Sequence, residues 1–170
     1  MAISKKPVTA EQAKLKMAAL CARAEQSEFN ISRKLYNLGL NSAAKKEIID
    51  FLKAEKYLDD SRFAKSFASD KARFSSWGPR KIKATLFQHH IPESIIDTAL
   101  DNIDPKIWKE AIMKCAVAKA RSLDLIGEEG WEHRRKLFAY LIGRGFFSKE
   151  ANIAVKIMKN RQQTELDDLE

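Results

Sequence analysis

The chain has few glycines and prolines, six and four among its 170 residues. Good helix formers such as Leu, Ala, Lys, Glu and Arg dominate instead, and β-branched residues are not clustered. An α/β fold with a phosphate-cradling glycine loop is poorly supported. The nearest candidate, Gly143-Arg144-Gly145, lacks both a preceding strand and the Gly-Lys-Ser/Thr signature. We interpret it as the end of a helix.

Disulfides and membrane segments are also lacking. The two cysteines, Cys21 and Cys115, cannot build a disulfide framework and are typical of a reducing compartment. No apolar run approaches the roughly 20 residues of a membrane-spanning helix. Residues 1–7 lack the apolar core of a secretory signal. With 45% hydrophobic residues the chain can bury a core, so we expect a globular cytoplasmic protein without membrane contact.

Apolar residues at helical spacing, bounded by capping residues, predict nine helices and no strand. Thr9 and Gln12 form a capping box, Ser27 precedes a second helix, and Asp104-Pro105 has the N-cap and first-turn residue types of a later one. The predicted fold class is all-α.

A short pattern recurs at spacings of 51 and 55 residues: a leucine, a turn residue four positions on, and then an apolar residue. This predicts three tandem three-helix units in an elongated, curved helical-repeat molecule, with chance coincidence as the alternative. The pattern occurs at Leu35-Gly39-Leu40, Leu86-His90-Ile91 and Leu141-Gly145-Phe146. The predicted segments are a flexible N-terminus (1–8), three units (9–57, 58–103 and 104–161) and an acidic disordered tail (162–170).

The net charge of +8 is unevenly distributed. Residues 61–90 hold seven basic residues and one acidic residue, a local sum of +6, whereas residues 161–170 sum to −3. An excess of basic residues outside the C-terminal segment is typical of proteins that bind phosphate groups, although many other soluble proteins share it.

The strongest candidate site combines basic and aromatic residues. On the fourth helix a basic face is distinct from the face that carries Phe63, Phe67 and Phe74. Cations in the first turn of the fifth helix oppose the helix dipole, so local stability does not explain their position. A phosphate bound there would be stabilised by these cations and by the free N–H groups of the helix start. A solvated face is the alternative. The predicted site residues are Arg62, Lys65, Arg73, Arg80, Lys81 and Lys83.

No residue pattern in the sequence indicates catalysis or metal binding. Asp59-Asp60 fall at a helix start, where carboxylates cap. His89-His90 are adjacent on a helix, so their side chains point apart, and no metal-ligating partner stands one turn away. We therefore predict no metal, no cofactor and no enzymatic activity.

The middle of the chain resembles the RecX family, regulators of the bacterial recombinase RecA. The resemblance lies in residues 58–64 (Leu-Asp-Asp-Ser-Arg-Phe-Ala), in residues 77–82 (Trp-Gly-Pro-Arg-Lys-Ile) and in Leu86, and it extends over about residues 15–160. One departure is His89-His90, where the family often has Lys-Gly.

The resemblance implies a protein that binds the RecA–DNA filament along its groove. It further implies inhibition of the ATPase, strand-exchange and co-protease activities of RecA, by blocked filament growth or by disassembly. Asp59, Phe63, Gly78, Ile82 and Leu86 are then folding residues. Without a heptad repeat, a monomer is expected. Two rivals stay open: a DNA-binding module with no filament target, which would bind DNA directly but weakly, and a helical adaptor that binds only protein.

Overall fold

A computed structural model describes residues 8–168 of the chain. Within this range the chain forms nine helices and no strand, as the sequence predicts, and none of these helices is long and apolar enough to cross a membrane. The helices are α1 (Ala10–Arg23), α2 (Glu28–Asn37), α3 (Ser42–Ala54), α4 (Asp60–Arg73), α5 (Pro79–Gln88), α6 (Glu93–Asp101), α7 (Pro105–Ala120), α8 (Gly130–Gly143) and α9 (Ser148–Asp167).

The helix starts follow the predicted capping residues. The Thr9 and Gln12 side chains form a reciprocal capping box at α1, and Ser27 accepts the Asn30 N–H at α2. Asp104 accepts the Lys106 N–H ahead of Pro105 at α7. Each cap satisfies an N–H group that the helix itself leaves without a partner.

The chain divides into two compact units. The first unit comprises the described residues up to Ser66 together with Leu86–Ala99, and the second comprises Phe67–Thr85 together with the described residues from Leu100 onward. A core of α1, α2 and α3 fills part of the first unit, and a core of α7, α8 and α9 fills part of the second. The first core includes Ala13, Met17, Ile31, Leu35, Ile48, Ile49, Leu52 and Leu58. The second includes Ile112, Cys115, Ala116, Leu125, Leu137, Leu141, Phe146, Ala151, Ala154 and Met158.

The C-terminal segment differs from the expectation. Helix α9 continues to Asp167, so residues 162–167 are helical where we expected a disordered tail. Gln162 explains part of this extension, because its side chain hydrogen-bonds the Leu125 N–H and the Leu123 carbonyl. Residues 1–7, most of the predicted flexible N-terminus, and residues 169–170 lie outside the described part of the chain. The boundaries between the predicted three-helix units remain a prediction.

The recurring sequence pattern corresponds to a recurring turn. The residues Gly39, His90 and Gly145 have left-handed φ angles of 78°, 58° and 93°. In each turn, the N–H of the next residue bonds to the carbonyl of the leucine five positions earlier, at 3.5, 3.2 and 3.3 Å. This is the hydrogen-bond pattern of a Schellman helix end. The three short matches in the sequence therefore have one structural cause.

The third of these turns packs directly on the start of α5. A Cβ atom placed on Gly78 would lie 2.3 Å from the Gly145 carbonyl carbon, and one placed on Gly145 would lie 2.4 Å from the Lys81 Cβ. Side chains cannot occupy these positions without backbone movement. The approach of the two segments therefore requires glycine at both.

We predict that Gly78→Ala and Gly145→Ala each destabilise the protein by about 1–3 kcal/mol, because the added methyl forces the backbones apart. Gly145→Ala should cost about 1 kcal/mol more, since alanine disfavours a left-handed φ. The measurement is the free energy of unfolding from urea denaturation.

Gly143→Ala is the matched control, because a Cβ there meets no atom within 4 Å and alanine favours a helix. It should leave stability unchanged or slightly raised. Wild-type stability of Gly78→Ala would show that the close packing is not required.

Candidate functional site

The N-terminus of α5 is covered by the turn that follows α8. The Gly78 N–H donates to the Arg144 carbonyl at 2.8 Å, and the Arg80 N–H donates to the Gly145 carbonyl at 3.0 Å. The expectation of free N–H groups for a phosphate is therefore wrong at these two positions. Carbonyls of the same compact unit already accept from them.

The same contact explains the first-turn cations. The end of α8 lies beside Arg80 and Lys81 at the start of α5. Because carbonyls at the end of a helix carry partial negative charge, this position favours positively charged side chains. The Lys81 Nζ also lies 4.4 Å from the centre of the Trp77 ring. The carbonyl end of α8 and the Trp77 ring therefore offer a structural explanation for these cations that an argument from α5 alone does not include.

The Arg144 side chain fixes the turn between α4 and α5. Its guanidinium donates to the carbonyls of Ser75 and Ser76, and the Cys115 thiol lies 3.4 Å from the Ser76 carbonyl. Ser76 is buried and has a left-handed φ of 49°. These contacts fix the conformation of the turn. The turn thereby determines the orientation of Trp77 and of α5.

Trp77 is the centre of a basic–aromatic cluster in the second compact unit. Besides Lys81, the Lys71 Nζ lies 5.1 Å from the Trp77 ring centre, and Phe67 meets Trp77 edge-to-face at 6.3 Å. Cations over an aromatic ring are held by its quadrupole, with about 0.5–1 kcal/mol for an exposed pair. The cluster includes Lys81 of the predicted site residues, whereas Lys71 was not among them.

The six predicted site residues divide between the compact units. Arg62 and Lys65 belong to the first unit, whereas Arg73, Arg80, Lys81 and Lys83 belong to the second. Lys65, Arg73 and Arg80 are exposed, and Lys81 and Lys83 are half-buried. The Arg73 Nε donates to the Ser69 hydroxyl at 3.2 Å.

Arg62 makes several contacts within the first unit. Its Nε donates to a Glu25 carboxylate oxygen at 2.9 Å, and one of its terminal nitrogens donates to the Lys56 carbonyl at 2.9 Å. Through these bonds the side chain joins the start of α4 to the segment after α1 and to the turn after α3. Spacing along one helix could not reveal this, because Glu25 lies 37 residues away.

The adjacent carboxylates cap two different helices. Asp59 accepts the N–H groups of Ser61 and Arg62 at the start of α4, and Asp60 accepts the Glu28 N–H at the start of α2. Burial raises the pKa of Asp60, and the bond from Glu28 opposes that shift. The predicted capping role is therefore confirmed. The sequence does not indicate that Asp60 caps α2, a helix far from it in the chain.

Phe74 does not lie where the apolar pattern of α4 places it. Phe63, at the other end of the predicted apolar face, is buried, whereas Phe74 is 77% exposed. Phe74 follows the last residue of α4, Arg73, and its N–H still donates to the Asp70 carbonyl at 2.9 Å, so its side chain is exposed at the very end of the helix. Packing inside the protein does not account for this aromatic side chain.

His89 is part of a polar and aromatic contact within the first unit. Its Nδ1 lies 3.1 Å from the hydroxyl of Ser27, which is fully buried, and its ring lies against Phe29 and Phe63. Burial lowers the pKa of His89, and the Arg33 charge lowers it further, while Asp60 acts in the opposite direction. Among residues 8–168 no group of three His, Cys, Asp or Glu side chains could hold a metal ion.

Comparison with known proteins decides the family. A Regulatory protein RecX of Chlorobium limicola is 30% identical over 120 residues, which cover 71% of this chain and 72% of the relative. The chain belongs to the RecX family. A Regulatory protein RecX of Clostridium tetani is 32% identical over 121 residues, but those residues cover only 55% of its length.

The fold and the middle of the chain agree with this assignment. The family profile described as RecX, second three-helix domain, matches residues 59–100. A crystal structure of a regulatory protein RecX superimposes with a TM-score of 0.74 at 24% identity, covering 85% of this chain and 70% of the other. The matched segment begins at the Asp59 cap and includes the Gly78-Pro79 start of α5. These RecX motif residues therefore have identifiable structural roles.

We predict that this RecX protein loses stability in mild acid through His89. Its folded-state pKa is lowered, so the unfolded chain binds the proton more readily. The contribution of neutral His89 is complete above about pH 6.5, the ordinary histidine pKa, and is lost as the pH falls through the lower folded-state pKa. Urea denaturation between about pH 5 and 7.5 measures the effect.

His89→Gln should show a smaller fall in unfolding free energy over this range than the wild-type protein. His133→Gln, which removes a histidine from the other compact unit, should retain the fall that is due to His89. Identical pH profiles for wild type and His89→Gln would contradict the assignment.

Proposed function

We propose that this RecX-family chain is a negative regulator of a RecA recombinase. It binds the RecA–DNA filament and inhibits its ATPase, strand-exchange and co-protease activities, by blocking filament growth or by promoting disassembly. The observation that carries the proposal is the match along most of the length of a relative named Regulatory protein RecX. On this proposal the chain acts in the cytoplasm as a monomer, by binding and without catalysis or a cofactor of its own.

The basic residues are the proposed contact with the filament. The local sum of +6 over residues 61–90 favours a polyanionic partner, since phosphates attract and hold such surfaces. We assign the contact to Arg62, Lys65, Arg73, Arg80, Lys81 and Lys83. Arg62, Lys65, Arg73 and Arg80 are exposed, whereas Lys81 and Lys83 are half-buried. Arg62 should contribute less, because binding would have to compete with its bonds to Glu25 and Lys56.

Exposed Phe74 supports an interface at the end of α4. An aromatic ring beside Arg73 can stack on an unpaired base or fill an apolar pocket of a protein partner. Since the fold leaves this ring exposed, it is available to a partner.

The high local charge also supports a second candidate, a basic helical module that binds DNA without a filament target. Binding to naked duplex DNA, with a steep salt dependence, distinguishes this candidate. An adaptor that binds only protein would ignore naked DNA and tolerate charge reversal.

The direct test is the single-stranded-DNA-dependent ATPase of the cognate RecA, titrated with this protein. We expect inhibition at amounts well below one molecule per RecA, because a protein that blocks filament growth acts at filament ends. Absence of inhibition with DNA in excess would reject filament regulation and favour the DNA-binding module.

Replacing Arg80, Lys81 and Lys83 by Glu should weaken inhibition at least about tenfold, as three favourable charges become unfavourable. The helical circular dichroism spectrum should be retained, while loss of the Lys81–Trp77 contact should lower the free energy of unfolding by about 0.5–1 kcal/mol. The matched control reverses Lys109, Lys156 and Lys159, exposed residues on α7 and α9 that give the same change of net charge. Full inhibition by the first variant, or equal loss in both, would exclude a localised basic contact.

Phe74→Ala should leave the free energy of unfolding within about 0.5 kcal/mol of wild type, because the ring is exposed. The concentration needed for half-inhibition of the ATPase should nevertheless rise. A stability loss of the size seen for buried phenylalanines, about 3 kcal/mol or more, would show that Phe74 is a core residue.

A further inference from the structure

A groove runs between α7 and α9 in the second compact unit, and it contains none of the residues assigned above to the filament contact. On α7 and its C-cap residue Arg121, the lining residues begin at Met113 and lie on one side of two successive helical turns. This stripe is about 12 Å long, from the helical rise of 1.5 Å per residue. The groove is therefore long enough for about two turns of another helix.

Two depressions form the groove and share Arg161. The first has a volume of about 460 Å³ and the second about 410 Å³. Residues of both helices line the first: Met113, Lys114, Val117, Ala118, Arg121 and Arg161. The second follows α9 along Ile157, Asn160, Arg161, Thr164 and Glu165. Because Arg161 borders both, a single elongated ligand can occupy them together.

The floor of the groove is apolar and adaptable. Met113, Val117 and Ile157 are half-buried and pack on the core of α7, α8 and α9. Their outer surfaces remain in contact with water. Methionine has an unbranched, flexible side chain that adjusts to different apolar partners. A ligand with apolar side chains on one face would release water from this floor.

The rim of the groove is cationic. Lys114, Arg121 and Arg161 are exposed, and none of them forms an ion pair with a residue in the range 8–168. Elsewhere in the same compact unit, the exposed Lys136 lies 3.9 Å from its neighbour Glu132. The charges around the first depression are thus of one sign. Carboxylates of a partner would complement them.

We propose that this groove binds an acidic amphipathic helix of a protein partner. The apolar face of that helix lies on Met113, Val117 and Ile157, and its carboxylates face Lys114, Arg121 and Arg161. Nucleic acid fits less well, because a phosphate backbone gains nothing from an apolar floor. Glu165 borders only the second depression, so the carboxylates of the partner helix face the first depression, where the charges are cationic. The inference does not depend on the proposed function, since it uses none of the same residues.

The probe is a fluorescein-labelled peptide of about 18 residues, with leucines on one helical face and glutamate and alanine on the other. A peptide of the same composition in scrambled order lacks the apolar face. Fluorescence anisotropy with the full chain, at about 0.1 M salt, gives both affinities. We expect the amphipathic peptide to bind at least about tenfold more tightly than the scrambled one.

The groove variant replaces Lys114, Arg121 and Arg161 by Glu and should lose at least about tenfold in affinity for the amphipathic peptide. A reversal of Lys106, Arg135 and Lys149, exposed residues of the same compact unit that do not line the groove, carries the same charge change and should lose less than about twofold. If the groove variant fails to fold by circular dichroism, replacement of the same three residues by Gln tests the proposal with a smaller expected loss.

Three results would overturn the proposal. If the amphipathic and scrambled peptides bind equally tightly, or if neither peptide binds, the apolar floor plays no part in binding. Equal losses in the two charge-reversal variants would show that only the net charge matters. Loss of single-stranded oligonucleotide binding in the groove variant, with peptide binding unchanged, would make the groove a nucleic-acid surface. Because the assay contains no recombinase, failure here leaves the filament proposal untouched, and the ATPase titration tests that proposal separately.

Discussion

The contact between the end of α8 and the start of α5 determines the position of the basic residues on α5. Two backbone hydrogen bonds join Gly78 and Arg80 to the carbonyls of Arg144 and Gly145, and the missing Cβ atoms of both glycines permit this distance. The Arg144 guanidinium meanwhile holds the preceding turn through the Ser75 and Ser76 carbonyls. Backbone donors of one helix thus meet backbone acceptors of another, which satisfies groups that each helix leaves open.

This contact also changes how the cations of α5 should be understood. Positive charge at a helix start is unfavourable for an isolated helix. Here the carbonyl end of α8 lies at the same place, and Trp77 holds the Lys81 ammonium. Their placement is therefore compatible with stability, and it is no evidence for a ligand by itself. The case for a filament contact depends on the family, the local charge and the exposed side chains together.

Local signals allowed much of the fold to be predicted, because helix starts and ends are determined by neighbouring residues. The Thr9 box, the Ser27 cap and the Asp104-Pro105 pair all act within four residues along the chain. What could not be predicted depends on residues far apart in sequence. Arg62 meets Glu25 across 37 positions, and Arg144 reaches Ser76 across 68. The site residues were chosen from single helices, so neither their partners nor the exposure of Phe74 was visible.

The three repeated turns show why a shared pattern does not imply a shared constraint. All three place one residue in the left-handed region, but a Cβ at Gly39 would meet no atom within 4 Å, whereas one at Gly145 would meet Lys81. His90 occupies the equivalent place with φ of 58°, and its ring lies 4.5 Å from that of Phe29. A histidine therefore replaces glycine where space is open and an aromatic partner offsets part of the backbone strain. At Gly145 the packing against α5 excludes any such replacement, so the same turn that ends a helix in one repeat also fixes the start of another helix.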